Sequence, residues 1–232
     1  MTSVLLLGAT GRSGALVLTS LPSDVQVIAA VRRPNDIARL PGAHARHRHA
    51  LIDLDDPASL RRAAASGVDV VVNAVRLRGD IPPRALVDLH ERIVGTVRGP
   101  DGGPARTVTI GGAGALRLPD GSRFWRRPEF PRRTVPRGRA HALLRDHLEA
   151  SADLSWTYLI PPPAFDPAGP RTGAYGRRSP GVDEHLFRGA AVGYADFAHA
   201  VADAVMEGWV GTHLVASSSD ARDGHRSASS SS

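Results

Sequence analysis

Three glycines, Gly8, Gly11 and Gly14, follow the apolar residues 4–7 with the spacing G-x-x-G-x-x-G. At a turn from a strand into a helix, the first glycine permits the tight turn and the second lets the backbone approach a pyrophosphate. The third lets the helix pack closely on the strand, and the free N–H groups that begin the helix favour phosphate. The pattern predicts a dinucleotide-binding turn, with a purely structural glycine turn as the alternative. The residues expected at the phosphates are Gly8, Thr10, Gly11, Arg12, Ser13 and Gly14.

Two arginines, Arg32 and Arg33, stand at the end of the second predicted strand. An acidic residue at this place would bind the ribose hydroxyls of NAD, whereas the planar fork of an arginine suits the 2′-phosphate of NADP. The pair therefore indicates NADP, with NADPH preferred over NADH. Two solvated arginines in a loop are the alternative.

Further contacts to the dinucleotide are expected after the third and fourth strands. Asp53, which precedes Leu54, could accept a hydrogen bond from the adenine amino group or cap a turn into the next helix, and both interpretations stay open. Asn73, Ala74 and Val75 end the fourth strand and should lie beside a cofactor ribose.

The chain contains no lysine and no cysteine, so all 29 basic residues are arginine. Schiff-base lysines, thiolate zinc sites and cysteine nucleophiles are therefore excluded. Histidine is the remaining proton carrier near neutral pH, and His141 lies at the start of a predicted helix. The run from His44 to His49 suggests a metal site, and His47 and His49 would share a face on a strand. No carboxylate or third histidine clearly joins them, so a surface strand is expected instead and no metal is predicted.

A strand–helix alternation positions these residues. The predicted strands are 3–7, 25–31, 46–51, 68–74, 106–111 and 155–160, with a short last strand near 213–216. The predicted helices are 12–20, 57–66, 83–98, 138–151 and 194–207, with Asp55 as cap of the second. Such alternation predicts an α/β fold, a Rossmann-like doubly wound parallel sheet with helices on both faces.

One domain, 1–216, is expected, followed by a disordered serine-rich tail over 217–232. The stretches 112–137 and 161–193, rich in glycine, proline and arginine, follow strands and should form the walls of a small C-terminal substrate-binding region. The N-terminal apolar run is too short for a signal peptide or a membrane span, so a cytoplasmic protein without membrane partner is expected. The formal net charge is +6, but the arginines are scattered, which argues against nucleic acid; a homodimer is possible.

In order along 3–216, the chain resembles the atypical short-chain dehydrogenases, and more narrowly the NAD(P)H-binding proteins related to NmrA and to NADH-flavin reductases. The motifs that carry the resemblance are GATGRSG, AAVRRP, LIDLDD, TIGGAGAL, EFP, WTYLIPP, RTGAY and YADFAHAVAD. The resemblance implies a nicotinamide cofactor, with Leu159–Pro162 near its nicotinamide ring. Contacts to the cofactor are expected from Gly111, Gly112, Pro161 and Pro162. The segment Gly111-Gly112-Ala113 stands where related sequences often have a serine after the fifth strand.

The catalytic pair of the wider family is missing. A Tyr-x-x-x-Lys pair cannot exist here, and where related sequences carry a tyrosine soon after the Phe-Pro motif, this chain has Arg132-Arg133-Thr134. Arg133 and Thr134 are therefore candidate catalytic residues, together with His141. Other arginines that could stabilise a developing anion are Arg123, Arg126, Arg127, Arg132 and Arg171, and Trp125 and Phe165 could stack on a flat substrate.

Two functions from different classes follow. Hydride transfer needs no protein acid when the acceptor delocalises charge, which favours an NADPH-dependent reductase of a flavin, quinone or similar planar conjugated carbonyl. The alternative is an NADP-binding protein without redox turnover, either a sensor or regulatory module or a repurposed isomerase or cyclase.

Overall fold

A computed structural model describes residues 1–41, 47–152, 155–181 and 183–218. The strands are β1 Ser3–Leu7, β2 Gln26–Val31, β3 His47–Leu51, β4 Val70–Asn73, β5 Arg106–Ile110, β6 Trp156–Ile160, β7 Ala164–Asp166, β8 Tyr175–Arg178, β9 Ala191–Gly193 and β10 Gly211–Ser217. The α-helices are α1 Arg12–Ser20, α2 Pro57–Ala63, α3 Ala85–Thr96, α4 Val135–Ala150 and α5 Tyr194–Met206. No helix in these ranges is long and apolar enough to cross a membrane.

Eight strands form one sheet in the order β3-β2-β1-β4-β5-β6-β10-β8. All neighbours pair in parallel except β8, which runs antiparallel to β10 at one edge. The order along the chain reverses between β1 and β4, which is the switch point where ligands bind in open α/β sheets. The expected Rossmann-like doubly wound fold is confirmed.

The core explains why every residue of β1 after Ser3 is apolar. Along β1, Val4 and Leu6 pack in the cluster that contains residues of α1 and α5, whereas Leu5 and Leu7 pack in the cluster that contains residues of α2 and α3. All four side chains are fully buried, because both faces of the sheet are covered. Each burial of this kind stabilises the fold by about 1.5–3 kcal/mol.

Several predicted boundaries were wrong. Asp56, not Asp55, caps α2, because its side chain accepts a hydrogen bond from the amide of Ala58. The stretch 161–193 is not only loop: it contributes β8 to the main sheet, and β7 and β9 form a separate two-stranded parallel sheet. Ser217, assigned to the tail, ends β10, and residues 219–232 lie outside the described residues.

A buried ion pair attaches the segment 184–189 to α4. The guanidinium of Arg145 donates to both carboxylate oxygens of Glu184, at 2.7 and 2.9 Å, and its side chain is fully buried. It also donates to the carbonyl of Ala115 and to Glu149. Because each guanidinium nitrogen and each carboxylate oxygen of the pair has a hydrogen-bond partner, the cost of burying the charges is offset.

Candidate functional site

A cleft of about 830 Å³ lies outside the carboxyl ends of β1, β2, β3 and β4, at the switch point of the sheet. Two other cavities, of about 300 and 480 Å³, lie elsewhere and contain none of its residues. The cleft is lined by Leu7, Gly8, Thr10, Gly11, Arg12, Ser13, Ala30, Val31, Arg32, Asp36, Arg39, Ile52, Asp53, Leu54, Asp55, Ala74, Val75, Arg76, Leu77, Arg78, Pro82, Ala85, Asp88, Leu89, Arg92 and Tyr194.

The glycine turn forms the floor of this cleft, and its three glycines meet three different requirements. Gly8 has φ +80°, and a Cβ there would lie 2.7 Å from the carbonyl oxygen of Ala74. A Cβ on Gly14 would lie 2.1 Å from the carbonyl oxygen of Gly8, so only glycine allows α1 to approach the turn. Gly11 is exposed, and a Cβ there would meet only the Gly8 oxygen, at 3.1 Å.

The start of α1 presents free hydrogen-bond donors beside the cleft. Gly11 caps the helix without a side-chain hydrogen bond, and the amide of Ala15 is the first to donate back to its carbonyl, at 2.8 Å. The amides of Arg12, Ser13 and Gly14 precede that bond, so helix geometry leaves them without an intrahelical acceptor. No acidic residue occupies the first turn, and the helix dipole therefore favours an external anion.

The end of the cleft beyond β2 is basic, but not through the predicted pair. Arg32 lines the cleft, whereas Arg33 precedes the 3-10 helix Pro34–Arg39 and does not. Arg39 lines it instead: its Nη1 lies 3.0 Å from Asp36 Oδ1, and its Nη2 donates to the carbonyl of Thr10 at 3.4 Å. Sequence reasoning missed Arg39 because a 3-10 helix, which has no strong sequence signal, folds it back towards the glycine turn.

Of the two roles that the sequence left open for Asp53, the structure shows the turn, and the contact with adenine stays a prediction. It lines the cleft, and its Oδ1 accepts a hydrogen bond from the amide of Asp55 at 3.0 Å within the turn. The hydroxyl of Ser59 donates to the Asp53 carbonyl at 2.7 Å and fixes the turn against α2. The other carboxylate oxygen can still accept a hydrogen bond from a ligand.

Beyond β4, the buried side chain of Asn73 holds the backbone of the cleft wall in place. Asn73 accepts a hydrogen bond from the amide of Val75 at 3.1 Å, so its side chain positions the wall without forming it. Arg76 and Arg78 continue this wall, and Tyr194, the first residue of α5, faces it. The sequence predicted Tyr194 only as the start of a helix, and it assigned none of these last three residues to the site.

Ten of the seventeen predicted cofactor residues line the cleft. They are Gly8, Thr10, Gly11, Arg12, Ser13, Arg32, Asp53, Leu54, Ala74 and Val75. Seven do not: Gly14, Arg33, Asn73, Gly111, Gly112, Pro161 and Pro162.

Close packing explains why the last four of these seven residues, which follow β5 and β6, do not line the cleft. A Cβ on Gly111 would lie 2.7 Å from the carbonyl oxygen of Leu159, and a Cβ on Gly112 would lie 2.8 Å from His141 Cδ2. Pro161 and Pro162, which directly follow β6 in the chain, are buried. Their contact with a nicotinamide stays a prediction.

The candidate catalytic residues also lie off the cleft wall. His141 Nδ1 is 2.9 Å from the hydroxyl of Tyr158, and burial lowers the pKa of His141 to about 4, with the charge of Arg137 acting in the same direction. The imidazole is therefore neutral at neutral pH, which weighs against a proton-donating role. Thr134 donates its hydroxyl hydrogen to the carbonyl of Pro131 at 2.8 Å, and Arg133 is exposed. These three roles remain predictions.

Two of the other candidate arginines are engaged elsewhere. Arg123 donates to the carbonyl of Ala115 at 2.8 Å and pairs with Asp146. Arg127 pairs with Asp120 at 2.9 Å. Both guanidinium groups therefore have partners within the protein, and a role in stabilising a ligand's charge stays a prediction.

The two stretches predicted to wall a substrate region do not contribute to this cleft, and that role stays a prediction. None of its lining residues belongs to 112–137 or 161–193; one wall is built from residues 74–92 instead. Phe165 does not line it either, but its ring stacks on Tyr194 with a centroid distance of 3.9 Å and thereby holds that side chain. Of the histidine run, His44 lies outside the described residues, and His47 and His49 lie on the edge strand β3.

Comparisons with known proteins agree with this geometry. The model of the NAD(P)H-binding family matches residues 8–208. The uncharacterized protein YwnB of Bacillus subtilis (strain 168) is 35% identical over 100 residues, which are 42% of this chain and about half (47%) of that relative.

Solved structures share the fold across nearly the whole chain. The "putative NADH-flavin reductase" of Streptococcus pneumoniae TIGR4 superposes with a TM-score of 0.73 at 21% identity, covering 94% of this chain and all of that one. The anaerobillin reductase ChuY of Escherichia coli O157:H7 has a TM-score of 0.67 at 18% identity, covering 94% of this chain and 98% of its own.

Proposed function

The chain belongs to the NAD(P)H-binding family, and from this premise we propose that it is an oxidoreductase that takes a hydride from NADPH. The acceptor in this proposal is a flavin, a quinone or a similar planar conjugated carbonyl compound. One observation carries the proposal: the positive φ of Gly8 and the free amides at the start of α1 open onto a cleft of about 830 Å³. Cofactor clefts fall in this range, about 300–1,000 Å³.

The lining residues fit the parts of a dinucleotide in turn. The amides of Arg12 and Ser13 suit the pyrophosphate, and the exposed Cα of Gly11 leaves space for it. Arg32 and Asp53, which line the cleft beyond β2 and β3, would contact the adenosine, and Ala74, beyond β4, would contact the other half of the dinucleotide. The placement follows from the rule that dinucleotides lie across the switch point of the sheet.

The adenosine end favours NADP over NAD. Arg32 and Arg39 bring two positive charges to the cleft, and Asp36 neutralises part of the second. A 2′-phosphate carries more negative charge than the single carboxylate of Asp36, and a guanidinium binds it through two parallel hydrogen bonds. We therefore propose NADPH as the preferred reductant, with Arg32 as its main determinant.

The residues present favour acceptors that need no dedicated protein acid. When bound, a reduced nicotinamide supplies the hydride. The chain has no lysine to activate a tyrosine. His141 is neutral and does not line the cleft. A planar conjugated acceptor spreads the negative charge that it gains, takes its proton from solvent, and is stabilised by cations such as Arg76.

Tyr194 is suited to orient such an acceptor. Its ring lines the cleft, Phe165 stacks on it, and the guanidinium carbon of Arg12 lies 6.0 Å from the ring centroid. A rigid aromatic surface next to cations favours flat, electron-poor molecules. The names of the Streptococcus and Escherichia neighbours, which refer to reductases of a flavin and of anaerobillin, support the same class of acceptor.

The test has two stages. Calorimetry with NADP⁺, NADPH, NAD⁺ and NADH measures binding, and Gly11→Val serves as the variant with a blocked pyrophosphate site. Oxidation of NADPH is then followed by its absorbance with a panel of flavins, quinones and conjugated carbonyl compounds. Turnover that Gly11→Val abolishes supports the proposal. Tight NADP binding without oxidation by any acceptor would overturn it in favour of a non-redox module that retains the nucleotide.

A further inference from the structure

A group of four arginines lies where residues 76–78 meet the start of α4. This arginine cluster consists of Arg76, Arg78, Arg133 and Arg137. Arg76 and Arg78 line the cleft, and the intervening Leu77 packs against the same hydrophobic cluster as Val135, the first residue of α4. Arg133 and Arg137 do not line the cleft, but the charges of Arg76, Arg78 and Arg133 all act on Arg137, so the four arginines lie near one another beside the end of the cleft that Arg76 and Arg78 line.

The charges of the arginine cluster are not neutralised within the protein. In the described ranges, no carboxylate oxygen lies within 4.0 Å of any of the four guanidinium groups. This contrasts with Arg39, Arg92 and Arg127, each of which pairs with an aspartate. A set of adjacent cations without counter-charges is costly, and the cost falls when an anion binds among them.

Arg137 lies within electrostatic range of the other three arginines of the cluster. Burial lowers the pKa of Arg137, and the charges of Arg76, Arg133 and Arg78 lower it further, while Tyr194 acts in the opposite direction. The first turn of α4 contains no acidic residue, although acids normally stabilise a helix N-terminus and cations oppose its dipole. The local charge thus disfavours the ligand-free protein and favours an anionic ligand.

We propose that the arginine cluster binds an anionic group, a carboxylate or a phosphate, carried by the planar substrate. This inference rests on the proposed function and narrows its substrate class: the conjugated ring lies at Tyr194, and an acidic side chain or ester extends towards Arg137.

The cofactor does not account for these cations. Its pyrophosphate is served by the amides of α1, and its 2′-phosphate by Arg32 and Arg39 beyond β2. Arg76 and Arg78 follow β4, on the opposite side of the switch point from β2, while Arg133 precedes α4 and Arg137 lies in its first turn. Tyr194 is common to both regions, since it lines the cleft and lies within electrostatic range of Arg137.

Two matched pairs of acceptors separate the sources of the anion. FMN and riboflavin differ by a phosphate, and biliverdin and its dimethyl ester differ by two carboxylates. Binding of each to the NADP⁺-loaded protein is measured by fluorescence quenching, and kcat/KM by NADPH oxidation. We expect the anionic member of at least one pair to bind about tenfold or more tightly than the neutral member, with the preference weakening at high salt. The pair that responds identifies phosphate or carboxylate.

Two variants on the same helix provide the control. Arg137→Gln should remove most of the preference, and Arg139→Gln, an equal charge change at an exposed position outside the cluster, should retain it. Unchanged NADP⁺ affinity in both variants verifies the fold. Equal binding of both members in both pairs, or a preference that Arg137→Gln leaves intact, would overturn the inference. Anion-selective binding without any NADPH oxidation would support the cluster while rejecting the reductase.

Discussion

The Cα of Gly14 approaches the carbonyl of Gly8 so closely that a Cβ on Gly14 would lie 2.1 Å from that oxygen. A Cβ and a non-bonded oxygen do not approach each other this closely in real structures. The neighbour is a backbone atom, which cannot rotate away as a side chain could. The contact fixes α1 against the end of β1 and thereby sets where the free amides of the helix point. Gly14 thus acts on the cofactor site through packing, although it does not line the cleft.

Gly14→Ala should both destabilise the protein and weaken NADP binding, because α1 must move to accommodate the methyl group. Overpacking of this kind costs about 1–3 kcal/mol. Urea unfolding measures the stability, and calorimetry measures the affinity. Gly95→Ala in α3 is the matched control, since a Cβ there meets nothing within 4 Å. It should stabilise the helix by about 0.5–1 kcal/mol. Similar unfolding midpoints for the two variants would contradict the packing argument.

Gly11→Ala should separate binding from folding. Gly11 has φ −78° and an exposed Cα, so alanine fits the backbone, and only the Gly8 carbonyl at 3.1 Å must give way slightly. The methyl group would occupy the approach of the pyrophosphate, and we expect affinity for NADP to fall about tenfold, about 1.4 kcal/mol. Calorimetry and thermal unfolding test this together. An unfolding temperature that falls as far as that of Gly14→Ala would show that Gly11 is instead a packing residue.

Much of the fold could be predicted because many of its strands can be recognised from a few consecutive residues. Strands buried on both faces are continuous apolar runs, and β1 was predicted with its observed bounds. The strands β7 and β9 have only three residues each, too few to show a period. The polar sequence of β8, YGRR, becomes a strand through its pairing with β10 at the sheet edge. That pairing joins segments far apart in the chain.

The site was predictable to the same extent. The glycine turn was found because its spacing, the strand before it and the helix after it are all contiguous in sequence. Arg39, Arg76 and Tyr194 were missed because a 3-10 helix, a loop and a distant helix bring them together. The sequence predicted an arginine just after the second strand. Which of Arg32 and Arg33 lines the cleft depends on where the 3-10 helix Pro34–Arg39 begins.

Arg32→Ala should lower the affinity for NADPH by about tenfold or more and leave the affinity for NADH almost unchanged. The reason is that only the 2′-phosphate needs the guanidinium. Arg33→Ala is the control, because Arg33 is exposed and does not line the cleft. Asp36→Asn should strengthen NADPH binding a few-fold by releasing the charge of Arg39. Titrations at low and high salt measure all three, and equal losses for Arg32→Ala and Arg33→Ala would contradict the assignment.

The burial of His141 makes stability depend on pH. Its pKa is about 4 when folded and about 6.5 when unfolded. The unfolded chain therefore binds the proton first as the pH falls, and stability is lost between pH 6.5 and 4. The loss reaches about 2 kcal/mol at pH 5. His141→Asn should lack this component, so urea unfolding at pH 7 and 5 should show a smaller decrease than in the parent protein. Parallel decreases would mean that the imidazole is already charged in the folded state.

The buried pair between Arg145 and Glu184 should contribute far more to stability than an exposed pair of the same type. Glu184→Gln removes the carboxylate that receives both guanidinium nitrogens, and Glu149 retains only the Nε contact. Removing one partner of a buried pair costs about 3–5 kcal/mol. Glu129→Gln is the matched control, since Glu129 is half exposed and pairs with Arg188 at 2.8 Å. Exposed pairs of this kind contribute about 0–1 kcal/mol. Chemical unfolding of both variants measures the free energy of unfolding. If Glu184→Gln loses no more stability than Glu129→Gln, the segment 184–189 is held by apolar contacts alone, such as those of Phe187.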